Sequence, residues 1–127
     1  MTHPNEALLR TGYDAFATGD IPTVLGIFDQ NITWSTGGNN SLTGHYKGHD
    51  EVVGFFTRII ELTGGNFSLH IERVIADDTG AAVLCTARGT RDGAEHSGQV
   101  LHVWTIEDGR ATSFEEFTNG AEDELFA

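Results

Sequence analysis

The chain has almost nothing that would staple, anchor or charge it positively. With one cysteine, Cys85, an intrachain disulfide is excluded, and no CxxC or Cys/His zinc spacing occurs. The six histidines form no H-x-H or HExxH arrangement, so no metal site is expected, and no cofactor motif is present. Seven basic residues stand against nineteen acidic ones, a net charge of −12 that repels phosphate backbones and anionic lipid surfaces. Nucleic-acid and membrane partners are therefore not expected. No apolar run approaches membrane-spanning length, and the opening MTHPNEALLR lacks the basic-then-apolar pattern of a signal peptide. The compartment these absences favour is the cytosol.

No linker or internal repeat interrupts the 127 residues, and the sixteen glycines are scattered through turns. The reading is one domain, 1–127, of a size that buries roughly two thirds of its unfolded surface. Pro4 suits a first helical turn, and Leu8, Leu9, Gly12, Ala15 and Phe16 form a stripe that stops at Gly19. Asp20 caps a second, short helix with Pro22 in its first turn and Val24, Leu25 and Phe28 on one side. Asn31 to Thr36 alternates as a strand, with Ile32, Trp34 and Thr36 on one face. The run GGNNSLTGHYKG then reads as a long rim or lid, and His45 and Tyr46 are its only groups suited to proton work. From His49 to Leu62 a third helix repeats Val52, Phe55, Phe56, Ile59 and Ile60 before Gly64-Gly65 ends it.

Four strands follow, near 67–76, 81–90, 96–106 and 111–117, separated by DDTG, RDG and EDGR turns. Helices grouped ahead of an antiparallel meander predict an α+β domain, a sheet wrapped on its helices. The last hairpin carries the chemistry. On its returning strand Phe114, Glu116 and Thr118 share a face, opposite Glu115 and Phe117. If that face lines the concave side, Glu116 sits in an apolar pocket where desolvation raises its pKa and fits it to shuttle a proton; otherwise Glu115-Glu116 is a solvated strand end. Cys85 reads as a small buried strand residue, and Glu122-Asp123-Glu124 as a solvated tail.

With Gly19-Asp20 and Phe28 in the helical pair, then Ile32-Thr33-Trp34, the elements come in a known order. Gly44-His45-Tyr46-Lys47-Gly48 ahead of Phe55-Phe56, and His102-Val103-Trp104 leading to Asp108-Gly109-Arg110, complete it. In this the chain resembles the SnoaL-like polyketide cyclases and the wider ketosteroid-isomerase-like group of the nuclear-transport-factor-two-like superfamily. The resemblance implies a cone of curved, mostly antiparallel sheet closed by three N-terminal helices, and a homodimer formed through the outer sheet face. It also implies an acidic residue on the last strand, about where Glu116 falls. The residues matching the isomerase's tyrosine, base and acid are Gly12, Thr36 and Leu101, with Tyr13 a candidate for a displaced tyrosine, so that mechanism is not expected.

The expected function is that of a cofactor-independent enzyme acting on a small apolar, carbonyl-bearing metabolite of the polyketide or terpenoid kind. The reaction would be an acid/base enolisation such as cyclisation or isomerisation. Glu116 would move the proton, His45 or Tyr46 would polarise the oxygen, and Trp34, Phe56, Leu101, Val103 and Phe114 would shape the pocket. If Leu101 and Val103 face inward, His102 between them faces outward. The competing readings are a non-catalytic ligand-binding or dimeric accessory protein, and a protein-interaction module.

Overall fold

The computed structural model describes residues 2–127. Its elements are α1 (Pro4–Ala17), α2 (Ile21–Gly26), β1 (Phe28–Thr36), β2 (Gly44–Lys47), α3 (Gly48–Thr63), β3 (Phe67–Asp77), β4 (Gly80–Arg91), β5 (Ala94–Glu107) and β6 (Arg110–Phe117). Pro4 and Pro22 occupy first helical turns, where a missing N–H costs nothing, and the Asp20 side chain caps α2 by accepting from Thr23 N. α3 ends on Gly64 in the left-handed conformation, with Val52, Phe55, Phe56 and Ile59 turned inward. Ile60, on the edge of that stripe, stays exposed.

The six strands form one sheet in the order β2-β1-β6-β5-β4-β3. All neighbours are antiparallel except β1 and β6, which run parallel. That parallel pair places the first strand beside the last and brings Trp34 opposite Phe114. Two differences from the sequence reading follow. The segment read as a loop contains β2, an edge strand paired with β1 through Trp34↔Tyr46 and Ser35↔His45. The β5–β6 hairpin, closed by Asp108 and Gly109 both at positive φ, does not keep the register its two-residue turn starts.

The ladder begins Glu107↔Arg110 and Ile106↔Ala111, then steps to Thr105↔Ser113, leaving Thr112 unpaired as a bulge. Without that step, Val103 would oppose Phe114 and Leu101 would oppose Glu116. With it, Trp104 opposes Phe114 and His102 opposes Glu116. Directly opposed residues share a face, so one extra residue exchanges the whole set. Val100, His102, Trp104 and Ile106 are buried on the inner side. Leu101 and Val103 lie on the outer side with Leu84, Ala82 and the exposed Ile75 and Phe117.

The helices cover the inner face, and one continuous core runs from Leu9 and Val24 through Phe28, Trp34 and Phe56 to Trp104 and Phe126. The segment after β6 folds back onto the end of the sheet. Arg91 Nη1 donates to the carbonyls of Leu125 and Ala127 at 3.1 and 2.9 Å, and Ser41 N donates to Phe126 O at 2.9 Å. Leu125 and Phe126 are buried, and Ala121 sits against Gly98, where an added Cβ would meet the Ala121 Cβ at 2.5 Å. Gly98→Val is therefore expected to lift this segment. It should cost about 1–3 kcal/mol in denaturant unfolding and speed amide exchange over residues 119–126 before the rest of the chain.

Candidate active site

Inner-face residues of β1, β5 and β6, together with α1, α3 and the C-terminal segment, enclose a cavity of about 70 Å³ for the centres of water-sized molecules. Its walls are largely aromatic. Trp34 and Phe114 stack with centroids 3.8 Å apart, and Trp104 meets both of them edge-on, at 5.7 and 4.7 Å. Phe56 lies 5.6 Å from Trp34, also edge-on. Such contacts hold large rings at fixed angles, so the lining is preformed.

One part of the cavity is polar. Trp104 Nε1 donates to the Tyr13 hydroxyl at 3.1 Å, and that hydroxyl lies 2.6 Å from His102 Nδ1. An indole N–H can only donate, so the phenol oxygen accepts from it and shares a second hydrogen bond with His102 Nδ1. On the other side of the ring, His102 Nε2 faces Glu116 Oε2 across 3.6 Å. Burial, with Cys85 alongside, holds the Tyr13 phenol well above its usual pKa, so it stays a neutral donor. The Cys85 thiol, 4.0 Å from His102 Nδ1, is likewise pushed up by burial, to about 11, and remains a thiol.

A second carboxyl group comes from the C-terminal segment. Glu122 is buried, 4% exposed, and its carboxyl is pushed up to about 9. Burial is the main cause, followed by the charge of Glu116 and a hydrogen bond shared with it. Two carboxyl groups facing one apolar space cannot both ionise cheaply, so near neutral pH the pair holds a proton. A hydrogen-bond donor (Glu122), an acceptor (Glu116) and an oriented imidazole thus border the same cavity.

Of the expected site residues, Glu116, Trp34, Phe56 and Phe114 line this cavity. Leu101 and Val103 do not, because the Thr112 bulge turns them outward; His102, expected outside, takes the inward position. His45 and Tyr46 also lie apart from the cavity. Pairing in β2 turns His45 to the exposed face, where Nδ1 meets Ser35 Oγ at 2.7 Å. Tyr46 packs behind Phe55 at 5.2 Å and donates to Leu42 O at 2.7 Å. Tyr13, His102 and Glu122 are the functional candidates that sequence reasoning missed or set aside. Glu122 was hidden in an acidic tail, and its only signal was the apolar Leu125-Phe126 pair after it.

A curved α+β sheet whose inner face and helices enclose an apolar cavity with one polar end defines the nuclear-transport-factor-two-like, or cystatin-like, class. Within it the chain belongs to the SnoaL-like domain family, whose model matches residues 9–114. Bal32a, from a soil-derived mobile gene cassette, is 28% identical with a TM-score of 0.92, over 98% of this chain and 97% of its own. A protein of unknown function from Burkholderia pseudomallei is 29% identical with a TM-score of 0.89, over 99% of each chain. A protein from Jannaschia sp. described as a SnoaL-like polyketide cyclase shares the fold alone, at 14% identity and a TM-score of 0.79, over 91% of this chain and 85% of its own.

The buried carboxyl pair carries a pH signature. Glu122 has a folded pKa of about 9 against an ordinary 4.5. Between those values the folded chain holds a proton that the unfolded chain has released. Its stability is therefore greatest below pH 4.5 with respect to this group and is lost as pH rises toward 9. The midpoint of wild-type unfolding should fall between pH 5 and 8, with a slope of up to about 1.4 kcal/mol per pH unit. Glu122→Gln should flatten that slope and unfold at higher temperature than wild type at pH 8.

Proposed function

We propose that the chain is a cofactor-independent enzyme that moves a proton on a small, largely apolar carbonyl compound. The observation that carries this is the Glu116–Glu122 pair beside His102: one carboxylate and one carboxylic acid border the same apolar cavity. Glu116 is suited to take a proton from the carbon next to a carbonyl. The Glu122 acid is suited to hydrogen-bond the oxygen on which charge then develops. His102, oriented by Tyr13 and Trp104, holds Nε2 3.6 Å from the Glu116 carboxylate. The product of that step is an enolate hydrogen-bonded to Glu122, which becomes the enol when Glu122 gives that oxygen its proton; isomerisation or ring closure proceeds from there, and the polarising role first given to His45 or Tyr46 passes to Glu122.

Deuterium wash-in beside the carbonyl of 1-indanone or 2-tetralone, followed by nuclear magnetic resonance in D₂O, reads this step without knowledge of the natural product. Wild type should accelerate the exchange, and Glu116→Gln should lose at least about a hundredfold while ligand affinity stays within about tenfold. No acceleration together with intact binding would favour the non-catalytic binding reading.

The outer strip of Leu84, Leu101, Val103, Ile75 and Phe117 supports a second proposal, a homodimer formed on that face. Light scattering should give twice the chain mass. Leu101→Glu should halve it without altering the cavity, because its side chain points away from His102.

A further inference from the structure

An organic ligand reaches the aromatic walls of the cavity only if part of the enclosure moves, because Trp34, Phe56, Trp104 and Phe114 are all buried. β1, β5 and β6 are held in the sheet ladder, and α1 and α3 by their own helical bonds. The C-terminal segment has neither. Among the described residues, its one backbone-to-backbone bond to the rest of the chain runs from Ser41 N to Phe126 O, at 2.9 Å. Side chains supply the other ties. Arg91 holds the Leu125 and Ala127 carbonyls, and Asp123 Oδ1 accepts from Asn39 N at 2.8 Å and from Asn40 Nδ2 at 3.0 Å. The Asp123 contacts join two stretches that both line the cavity, the loop with Gly37 and Asn40 and the segment with Glu122 and Phe126. A stretch held by so few backbone bonds opens at lower cost than the sheet it rests on.

We infer that residues 119–127 are a strap that lifts as a unit to admit and release the ligand, that Asp123 is its clasp, and that ionisation of Glu122 drives it open. The site's acid then travels on its door, and the site is complete only when the strap is shut. Tyr13 on α1, His102 on β5 and Glu116 on β6 border the cavity with Glu122, Cys85 on β4 lies beside His102, and Asp123 adjoins it in the chain. α3 and β3 present only apolar side chains there, and among the described residues no lysine or arginine lines the cavity. A shut, ionised Glu122 therefore meets the Glu116 charge with no cation between them, whereas a lifted one meets water. With the shut carboxyl at about 9 against an ordinary 4.5, each pH unit between those values favours the open form by up to about tenfold. His96, which faces Glu124 at 3.8 Å, is the other titratable group tying the strap to the sheet. The inference rests on the reading of this cavity as a small-molecule site, but not on catalysis there, and its test needs no ligand.

The test is hydrogen exchange of the whole ¹⁵N-labelled chain from pH 5 to 8, each rate divided by its intrinsic value at that pH. Three sets of protons are followed: the strap amides, the Trp104 indole N–H that the cavity encloses against Tyr13, and the β4–β5 ladder amides as the measure of global unfolding. The strap amides and the Trp104 indole should exchange together and faster than the ladder, with opening that grows several-fold to tenfold per pH unit. Glu122→Gln should hold opening near its pH 5 level throughout. Asp123→Ala should raise it about tenfold at every pH, and Asp123→Asn, which keeps the acceptor oxygen, should restore most of the difference. Strap amides no faster than the ladder would show that the strap lifts only in global unfolding, and an indole that stays at the ladder rate would show that lifting it does not open the cavity; either result overturns the inference. A slope that survives Glu122→Gln would move the pH control to His96–Glu124, and unchanged opening in Asp123→Ala would remove the clasp. Failure of 1-indanone or 2-tetralone to bind or to exchange deuterium would count against the small-molecule function alone, since these rates are read without either compound.

Discussion

Thr112 is the residue on which the interior depends. Because it stands unpaired between Ala111 and Ser113, the β5–β6 ladder slips by one position just after its turn. His102 and Trp104 thereby come to the same side as Phe114 and Glu116. In a sheet covered on one face, such a slip decides which half of a strand is core and which is surface. The imidazole then stands directly across from the carboxylate, and the Trp104 indole reaches Tyr13 on α1. Remove the bulge, and either β5 turns Leu101 and Val103 inward, leaving Glu116 buried opposite a leucine, or β6 turns Phe114 and Glu116 away from His102 and Trp104.

That burial would be costly, and the native arrangement offsets it in two ways. Glu116 faces the His102 imidazole, whose orientation is set by hydrogen bonds from Trp104 through Tyr13. Glu122 adds a second carboxyl that keeps its proton, so the cavity carries one negative charge rather than two. The C-terminal segment is thus part of the site. Its hold on the sheet, through Arg91, Ser41 and the seat at Gly98, keeps the Glu122 acid against the cavity. A chemical group and a closure are supplied by the same short segment.

The helices and long strands were legible because each carries its period openly: Val52, Phe55, Phe56 and Ile59 at helical spacing, and Ile32, Trp34 and Thr36 at alternate positions. β2 was not, because GHYK is too short to show alternation and sits between turn-forming residues. The face of β5 was ambiguous for a different reason. Val100, His102, Trp104 and Ile106 compete with Leu101 and Val103, so both faces look apolar, and the bulge that chooses between them has no glycine or proline to mark it. Glu116 could be located from its own strand, but its partners could not. His102 depends on a register, Tyr13 on helix docking, and Glu122 on a chain reversal that pattern alone does not encode.

These dependences also explain why the resemblance to the isomerases leads to the fold more directly than to the chemistry. Their tyrosine, base and acid positions match Gly12, Thr36 and Leu101 here. Thr36 lines the cavity, but its hydroxyl is committed to the Leu42 carbonyl at 2.6 Å, and Leu101 faces away. The polar groups have instead been gathered from α1, β5, β6 and the C-terminal segment into a chain that ends on a shared proton. The proton held on Glu122 spares the apolar space a second negative charge. On the proposed function, the reaction begins with that proton already in place, which favours substrates that offer an acceptor oxygen over those that bring a negative charge of their own.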